Sequence, residues 1–357
     1  MSRAVEAHID LVAVEHNLQI LRQRAPQSKV LAVIKANGYG HGMAGIAGAL
    51  AEVDAFGVAC VSEAKQLRRK GVCVPILLLA GCFSYSELQE SAQLGLDVVV
   101  HQLEQLEALE CVKLKQPLNV WLKLDTGMHR LGVSPEQFED TYKRLIACES
   151  VSNINLMTHF ARADEVDCPE TQQQIDCFDE VTSGVDVPCS LANSAALLKF
   201  PQSQRDWVRP GIMLYGVVPF EGEAGAAYGL MPVMTLTSQL MAIRDCKHGE
   251  TIGYGGAWHC PEDMRIGVVS IGYGDGYPRH AAVGTPVLVN GRRVRLIGRV
   301  SMDSIFVDLS ANPDAKLGDE AVLWGRGLPV EEVAACSGTI PYELLCKVTA
   351  RVKFIYR

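Results

Sequence analysis

The amino-acid sequence predicts an α/β protein in which an N-terminal (β/α)8 TIM-type barrel, residues 1–230, precedes a C-terminal all-β domain, residues 231–357. Two observations predict this fold class. Through the first two-thirds of the chain, eight apolar runs alternate with amphipathic segments, and after about residue 230 strand-like runs with turn signals take over. A length of 357 residues accommodates a barrel of about 250 residues and a smaller module.

Each apolar run of the first region predicts one strand of a parallel sheet. The runs are continuous rather than alternating, which indicates strands covered on both faces. Amphipathic segments such as SEAKQLRRKG lie between them and predict helices. A doubly wound open sheet is the alternative, but no glycine-rich dinucleotide motif follows the first strand. The runs are KVLAVIKA (29–36), AFGVA (55–59), PILLLA (75–80), DVVV (97–100), LNVWLKLD (118–125), INLMTHF (154–160), CSLANS (189–194) and WVRPGIMLYG (207–216).

The last third of the chain predicts an antiparallel β module. Asn290 and Gly291 form a strong hairpin signal, because both residues adopt positive φ at little cost. The strand-like segments are TLTSQLMAIRDC, RIGVVSIGYGDG, TPVLVNGRRVRLIGRV, DSIFVDLS and DEAVLWG.

Composition and charge exclude several classes of function. The net charge is -8 and no basic run occurs, which argues against nucleic acid as a partner. The N-terminus, MSRAVEAHIDL, has no apolar core of a signal peptide, and the longest apolar run is too short to span a bilayer. Because no export signal is found, we expect the twelve cysteines to be reduced thiols. They form no CxxC pair and no zinc-ligand spacing, so the sequence predicts no metal site. We therefore expect a cytoplasmic protein that does not bind membranes.

Polar side chains follow the predicted barrel strands where an active site is expected, at the carboxyl ends of the strands. Taken alone, each has a structural explanation: Lys35 could extend to solvent, His159 could be a core histidine, and Lys123 could pair with Asp125. Their convergence on one rim is what favours function. The residues are Lys35, Lys123, Arg130, His159, Ser194 and Arg209.

The chemistry that suits such a rim is nucleophilic catalysis on an anionic cofactor. A lysine in a partly desolvated, cationic site has a lowered pKa and becomes nucleophilic. The RPGI turn after the eighth strand offers free backbone N–H groups around Gly211 and Ile212, near where barrels commonly bind phosphate. A lysine together with a phosphate site points to pyridoxal 5′-phosphate.

The motifs of the whole chain, taken in order, resemble those of alanine racemases. AVIKANGYGHG resembles the lysine motif that binds pyridoxal phosphate in this family. The later landmarks are KLDTGMHRLG, THFARADE, NSAA, RPGIMLYG, IGYGGAW, IGYGDGYPR, GRVSMD and PYE. The resemblance implies a (β/α)8 barrel with a β domain, and a homodimer whose two active sites are shared between subunits.

The resemblance also implies catalytic roles. Lys35 would bind the cofactor covalently and then act as one base, and Tyr254 of the partner subunit would be the base on the opposite face. His159 would tune that tyrosine through a hydrogen-bonded array with Arg209. Arg209 would donate to the pyridine nitrogen of the cofactor.

Binding roles follow from the same resemblance. The cofactor phosphate would contact Tyr39, Ser194, Tyr342 and the backbone of Gly211 and Ile212. Arg130 and the Met302 backbone would bind the substrate carboxylate, and Lys123 matches a family lysine that is often carbamylated. The narrow access channel would be lined by Tyr273, Arg299, Arg279, Asp164 and Tyr342.

Other activities remain open at this point. A serine or broader amino-acid racemase shares the same motifs. A decarboxylase of the same fold type would carry a cysteine where this chain has VSMDS, and a non-catalytic pyridoxal-phosphate carrier would lack the β module. The sequence leaves open whether D-alanine is supplied, for instance as a peptidoglycan precursor, or consumed.

Overall fold

The computed structural model describes residues 4–165 and 167–357. The chain divides into two compact units. One comprises residues 18–38 and 42–214, and the other comprises residues 1–17, 39–41 and 215–357. Over the described ranges no helix combines the length and the apolar character needed to cross a membrane.

The first unit contains a barrel. Among the described residues, eight parallel strands close on themselves in chain order, which confirms the predicted (β/α)8 architecture. The barrel closes where Lys29 and Val30 pair with Trp207 and Val208. The strands are β2 (Lys29–Val33), β3 (Ala55–Val58), β4 (Ile76–Leu78), β5 (Asp97–Val100), β6 (Leu118–Lys123), β7 (Val151–Met157), β8 (Cys189–Ser190) and β9 (Trp207–Val208).

Continuous apolar runs form these strands because both of their faces are buried. Leu31 and Ala32 of β2 are fully buried, and so are Ile76 and Leu78 of β4. The helical segments of this part of the chain are α1 (Leu11–Arg24), α2 (Lys35–Tyr39), α3 (Met43–Ala49), α4 (Val61–Arg69), α5 (Tyr85–Gln93), α6 (Leu103–Cys111), α7 (Pro135–Ala147), α8 (Glu170–Val181) and α9 (Ser194–Lys199). Of these, α2 is a turn with left-handed residues rather than a regular helix.

The second unit is built on a largely antiparallel sheet, as predicted. Its strands are β1 (Glu6–Ile9), β10 (Met234–Cys246), β11 (Thr251–Ile252), β12 (Trp258–His259), β13 (Met264–Val269), β14 (Pro286–Val289), β15 (Arg292–Ile297), β16 (Ile305–Asp308), β17 (Glu320–Trp324) and β18 (Lys353–Tyr356). Within the described residues the strand order is β13-β16-β15-β14-β17-β10-β1-β18, with β10 also paired to β13. Asn290 and Gly291 both have positive φ, 50° and 71°, and join β14 to β15 in the expected hairpin.

The sequence did not indicate two features of this unit. Strand β1, from the start of the chain, pairs antiparallel with β10 and parallel with β18. Short helices α10 (Val330–Cys336) and α11 (Pro341–Cys346) lie between β17 and β18. Alternate residues of β1, Ala7 and Ile9, are fully buried, so the strand contributes one face to the core.

Candidate active site

The barrel places the predicted cationic residues after its strands, as expected for an active site. Lys35 lies two residues beyond the end of β2, and Lys123 is the last residue of β6. His159 follows β7 by two residues, and Arg209 follows β9 directly. Arg130 lies in the loop after β6. Parallel strands end at one rim, so these side chains share one end of the barrel.

The charges of this rim act on one another. Burial is the largest cause that lowers the pKa of Lys123, and the cations Arg209, Arg130 and Lys35 act in the same direction. Against the opposing effect of Asp125, the pKa is lowered to about 8. The Asp125 carboxylate instead accepts hydrogen bonds from the Gly127 and His129 N–H groups and lies 3.1 Å from His129 Nδ1. A rim with this excess of positive charge is suited to bind an anion.

His159 is neutral near neutral pH. Burial lowers its pKa far below the ordinary value, and the cations Arg209 and Lys123 act in the same direction. Arg209 Nη2 lies 3.4 Å from His159 Nδ1. Because a guanidinium only donates hydrogen bonds, Nδ1 is the acceptor, and the proton of the neutral ring is on Nε2.

Arg209 is firmly held by its surroundings. It is 4% exposed, and its pKa is lowered to about 10 by burial, which still leaves it charged at neutral pH. Nη1 donates to the Ser190 carbonyl and hydroxyl at 2.8 and 2.7 Å, and Nη2 donates to the Thr158 carbonyl at 2.6 Å. Sequence reasoning missed Ser190 and Thr158, because they act chiefly through backbone carbonyls, which any residue type supplies.

Lys35 begins a turn of unusual backbone conformation. The next three residues, Ala36, Asn37 and Gly38, are left-handed, with φ of 52°, 54° and 64°. Asn37 Oδ1 accepts a hydrogen bond from the Met43 N–H, and the Gly38 N–H donates to the Ile34 carbonyl. Glycine and asparagine tolerate this region, whereas an alanine there costs roughly 1–2 kcal/mol.

Ser194 and the turn after β9 lie together in the barrel unit. The Gly211 N–H donates to Ser194 Oγ at 2.8 Å, so it is not the free donor that the sequence led us to expect. Ser194 begins helix α9, and Ile212 begins a short 3-10 turn over Ile212–Tyr215. Both Ser194 and Ile212 are buried.

Tyr39 and Tyr342 lie close together in the other unit. Their ring centroids are 6.0 Å apart, and the Tyr39 ring also packs on Tyr215 at 4.8 Å. Burial raises the pKa of Tyr39, followed by the effects of Tyr342 and Cys346. The Tyr39 hydroxyl is therefore a neutral phenol that can donate a hydrogen bond.

Tyr254 and Met302 are exposed in the same unit. Tyr254 is 71% exposed and begins a tight turn, Tyr254–Gly256, in which both glycines have positive φ. The loop of Tyr273 lies against the loop of Met302. The Tyr273 N–H donates to the Ser301 carbonyl, and the Gly274 N–H donates to the Met302 carbonyl. Three further residues predicted to line the access channel are exposed, namely Asp164 in the barrel unit and Arg279 and Arg299 in this one.

The described part of the chain holds no group of three or more histidine, cysteine or carboxylate side chains arranged to bind a metal. The functional groups that the rim itself offers are amines, guanidinium groups, an imidazole and a hydroxyl.

Comparison with known proteins identifies the family over nearly the whole chain. The family model for the N-terminal domain of alanine racemase matches residues 9–219, and the model for its C-terminal domain matches residues 233–356. The alanine racemases of Yersinia pestis and Vibrio cholerae are 52% and 54% identical to this chain. Each alignment covers 99% of this chain, and covers 99% and 98% of the respective relative.

Solved structures agree with this assignment. The biosynthetic alanine racemase from Pseudomonas aeruginosa superposes with a TM-score of 0.97 at 49% identity, and the match covers 99% of both chains. The alanine racemase from Bartonella henselae, described with covalently bound pyridoxal phosphate, superposes with a TM-score of 0.90 at 30% identity, again over 99% of both chains. This chain belongs to the alanine racemase family.

Proposed function

We propose that this protein interconverts L-alanine and D-alanine with pyridoxal 5′-phosphate as its cofactor. The observation that carries the proposal is a lysine, Lys35, placed with three further cations at the active end of the barrel. Membership of the alanine racemase family supports the reaction and the cofactor.

The residues of the rim fit this cofactor. Lys35 supplies a primary amine for its aldehyde, and the excess of positive charge around Lys123 favours its phosphate. Arg209 would donate to the pyridine nitrogen. The proposed phosphate ligands are the side chains of Tyr39, Ser194 and Tyr342 and the backbone of Gly211 and Ile212. The Gly211 N–H would exchange its hydrogen bond to Ser194 Oγ for one to the phosphate. When bound, the cofactor delocalises the electron pair that remains on Cα after the α-proton departs.

Two bases on opposite faces of Cα are needed to invert it. In the proposed mechanism, Lys35 Nζ holds or releases a proton on one face, and Tyr254 of the partner subunit does so on the other. Removal on one face and return on the other converts L- to D-alanine, and the roles exchange for the reverse reaction.

His159 and Arg209 would adjust the proton affinity of the tyrosine. A free tyrosine has a pKa near 10, so a phenolate near neutral pH needs a hydrogen-bond donor beside it. Arg209 occupies His159 Nδ1, which leaves the Nε2–H as the donor. We propose that this N–H faces the Tyr254 hydroxyl of the partner subunit.

Arg209 would also limit side reactions. A guanidinium only donates, so it leaves the pyridine nitrogen unprotonated and the ring a weaker electron sink. Arg209 would thereby favour return of the proton to Cα over cleavage of the other bonds to Cα. The buried carbonyl groups of Ser190 and Thr158 accept hydrogen bonds from the Arg209 guanidinium and would hold it in place for this role.

Substrate recognition is proposed for Arg130 and the Met302 backbone, which would bind the α-carboxylate. Tyr273, Arg299, Arg279, Asp164 and Tyr342 would narrow the access channel. Such a channel favours a methyl side chain over larger ones, so alanine is the expected substrate and serine a poorer one.

We further propose that Lys123 is carbamylated. A carbamate forms on the neutral amine, and the lowered pKa of about 8 keeps a fraction of Lys123 neutral near physiological pH. The resulting negative charge would brace Arg130.

We also propose that the protein forms a homodimer in which each active site is shared between the two subunits, and that it is located in the cytoplasm.

The deciding experiment measures racemisation of L-alanine by the purified protein with pyridoxal phosphate, beside L-serine and L-lysine. We expect rapid formation of D-alanine, slow reaction of serine and none of lysine. Tyr254→Phe should lower kcat in both directions by about 10²–10⁴-fold, the contribution of a general acid–base group. Tyr85→Phe, at another exposed tyrosine, is the matched control and should keep full activity.

Three outcomes would contradict the proposal. Undiminished racemisation by Tyr254→Phe in both directions would exclude the two-base mechanism. Release of carbon dioxide from a basic amino acid would indicate a decarboxylase. Cofactor binding without turnover of any amino acid would indicate a carrier.

A further inference from the structure

The left-handed turn after Lys35 begins with a residue type that rarely adopts this conformation. Asn37 and Gly38 are residue types that adopt positive φ readily, but Ala36, with φ 52° and ψ 50°, is not. An alanine keeps this conformation only where its surroundings determine it. A specific contact must therefore hold the peptide that joins Lys35 to Ala36.

Glu63 makes that contact. Its Oε1 accepts a hydrogen bond from the Ala36 N–H at 2.8 Å. Its Oε2 accepts one from the Ala59 N–H at 2.8 Å, just before helix α4, in whose first turn Glu63 lies. One carboxylate thus joins the start of α4 to the peptide that follows Lys35.

Two other contacts of the turn act further along it. The Asn37 side chain accepts from Met43, and the Asn37 carbonyl accepts from Gly42. These two hydrogen bonds fix the path of the backbone after Asn37. The Ala36 N–H belongs to the peptide next to the Lys35 Cα, so its orientation sets the direction in which the Lys35 side chain leaves the backbone.

We propose that Glu63 is a positioning residue for Lys35, whose carboxylate holds Ala36 in its left-handed conformation and so aims the lysine amine at the cofactor aldehyde. This inference rests on the proposed function, in which Lys35 binds pyridoxal phosphate. Charged acceptors form the stronger hydrogen bonds, and a carboxylate can serve two N–H donors at once, as it does here.

The chain provides a matched control in Glu87. Glu87 lies in the first turn of the next helix, α5, and its Oε2 accepts from the Phe83 N–H at 2.7 Å. The spacing of four residues equals that between Glu63 and Ala59. At either position, glutamine keeps one acceptor oxygen and replaces the other with an NH₂ group. At residue 63 this NH₂ group would lie against one of the two N–H donors, whereas at residue 87 it would lie in solvent.

The test compares Glu63→Gln with Glu87→Gln in cofactor-free protein. We expect Glu63→Gln to weaken binding of pyridoxal phosphate about tenfold, the value of a lost hydrogen bond to a charged group. Glu87→Gln should bind it as the wild type does. Binding is followed by titration of the cofactor absorbance. Unchanged affinity in Glu63→Gln, or an equal loss in both variants, would overturn the inference.

Two further readouts separate this inference from the proposed function. Amide hydrogen exchange at Ala36, measured without cofactor, should accelerate about tenfold in Glu63→Gln and remain unchanged in Glu87→Gln. The exchange rate at Ala36 tests the role of Glu63 even if the wild type binds no pyridoxal phosphate. Failure of the wild type to bind the cofactor would refute the proposed function alone. Adding Ala36→Gly to Glu63→Gln should recover most of the lost affinity, since glycine adopts this φ without strain. No recovery would overturn the role assigned to Glu63.

Discussion

Lys123 shows how the charges of the rim act on one residue. Its side chain is 6% exposed, and it shares the rim with Arg209, Arg130 and Lys35. Both burial and like charge disfavour its ammonium form, and the opposing carboxylate, Asp125, is engaged by His129. The folded chain therefore holds this proton less tightly than the unfolded chain does.

The shift predicts a dependence of stability on pH. With a pKa of about 8 when folded and 10.5 when unfolded, Lys123 penalises folding below pH 8. From about pH 8 to 10.5 the folded chain loses the proton first, so the free energy of unfolding should rise. In buffer free of carbon dioxide, the wild type should gain about 3 kcal/mol relative to Lys123→Met across this window. Urea unfolding at a series of pH values measures the difference.

Lys143→Met is the control, since Lys143 lies exposed on α7 and its removal should leave the pH dependence unchanged. Bicarbonate should flatten the Lys123 difference, because a carbamate no longer titrates as an amine. A wild type that loses stability relative to Lys123→Met over the same window would contradict the assigned direction.

At the scale of elements, two glycines differ in the space that surrounds their Cα atoms. Gly40 has φ of 80°, and a Cβ added there would overlap the Leu345 carbonyl oxygen. The left-handed φ would strain an alanine, and the fixed carbonyl leaves no space for its side chain. At Gly48, in helix α3, a Cβ would have no atom of the described residues within 4 Å.

The two glycines therefore predict opposite effects of one substitution. Gly40→Ala should destabilise the protein by about 3 kcal/mol or more, through backbone strain and displacement of Leu345. Gly48→Ala should stabilise it by roughly 0.5 kcal/mol, because alanine has the higher helix propensity. Denaturant midpoints at constant m-value measure both. A tolerated Gly40→Ala would mean that the turn and helix α11 are not packed as described.

At the scale of the whole molecule, the proposed mechanism needs two chains. Lys35 and Tyr254 are assigned to one active site but to different subunits, so neither a Lys35→Ala nor a Tyr254→Phe homodimer has a complete pair of bases. A heterodimer of the two variants has one complete site and one that lacks both bases. The symmetry of the proposed homodimer fixes this count.

Complementation tests the shared site directly. The two variants, each inactive alone, should regain about a quarter of the wild-type activity after they are unfolded and refolded together, because half of the random dimers carry one native site. Each variant refolded by itself is the control. If both bases came from one chain, the mixture would stay as inactive as its parents.

The sequence alone determined the fold class and the order of the candidate residues. Buried parallel strands require continuous apolar runs, and the hairpin at Asn290 requires positive φ, so composition at these positions is nearly diagnostic. The motif order identified the family. These signals are local, and each can be read from a few neighbouring residues.

The tertiary structure alone decided how the candidate residues act on one another. Three interactions involve residues far apart in sequence: the effect of neighbouring cations on the pKa of Lys123, the hydrogen bonds from Arg209 to backbone carbonyls, and the hydrogen bond from the Ala36 N–H to Glu63. Strand β1 likewise finds its partners, β10 and β18, far along the chain. Charge coupling, burial and hydrogen bonding depend on distances of a few ångströms, and those distances arise only when the chain has folded.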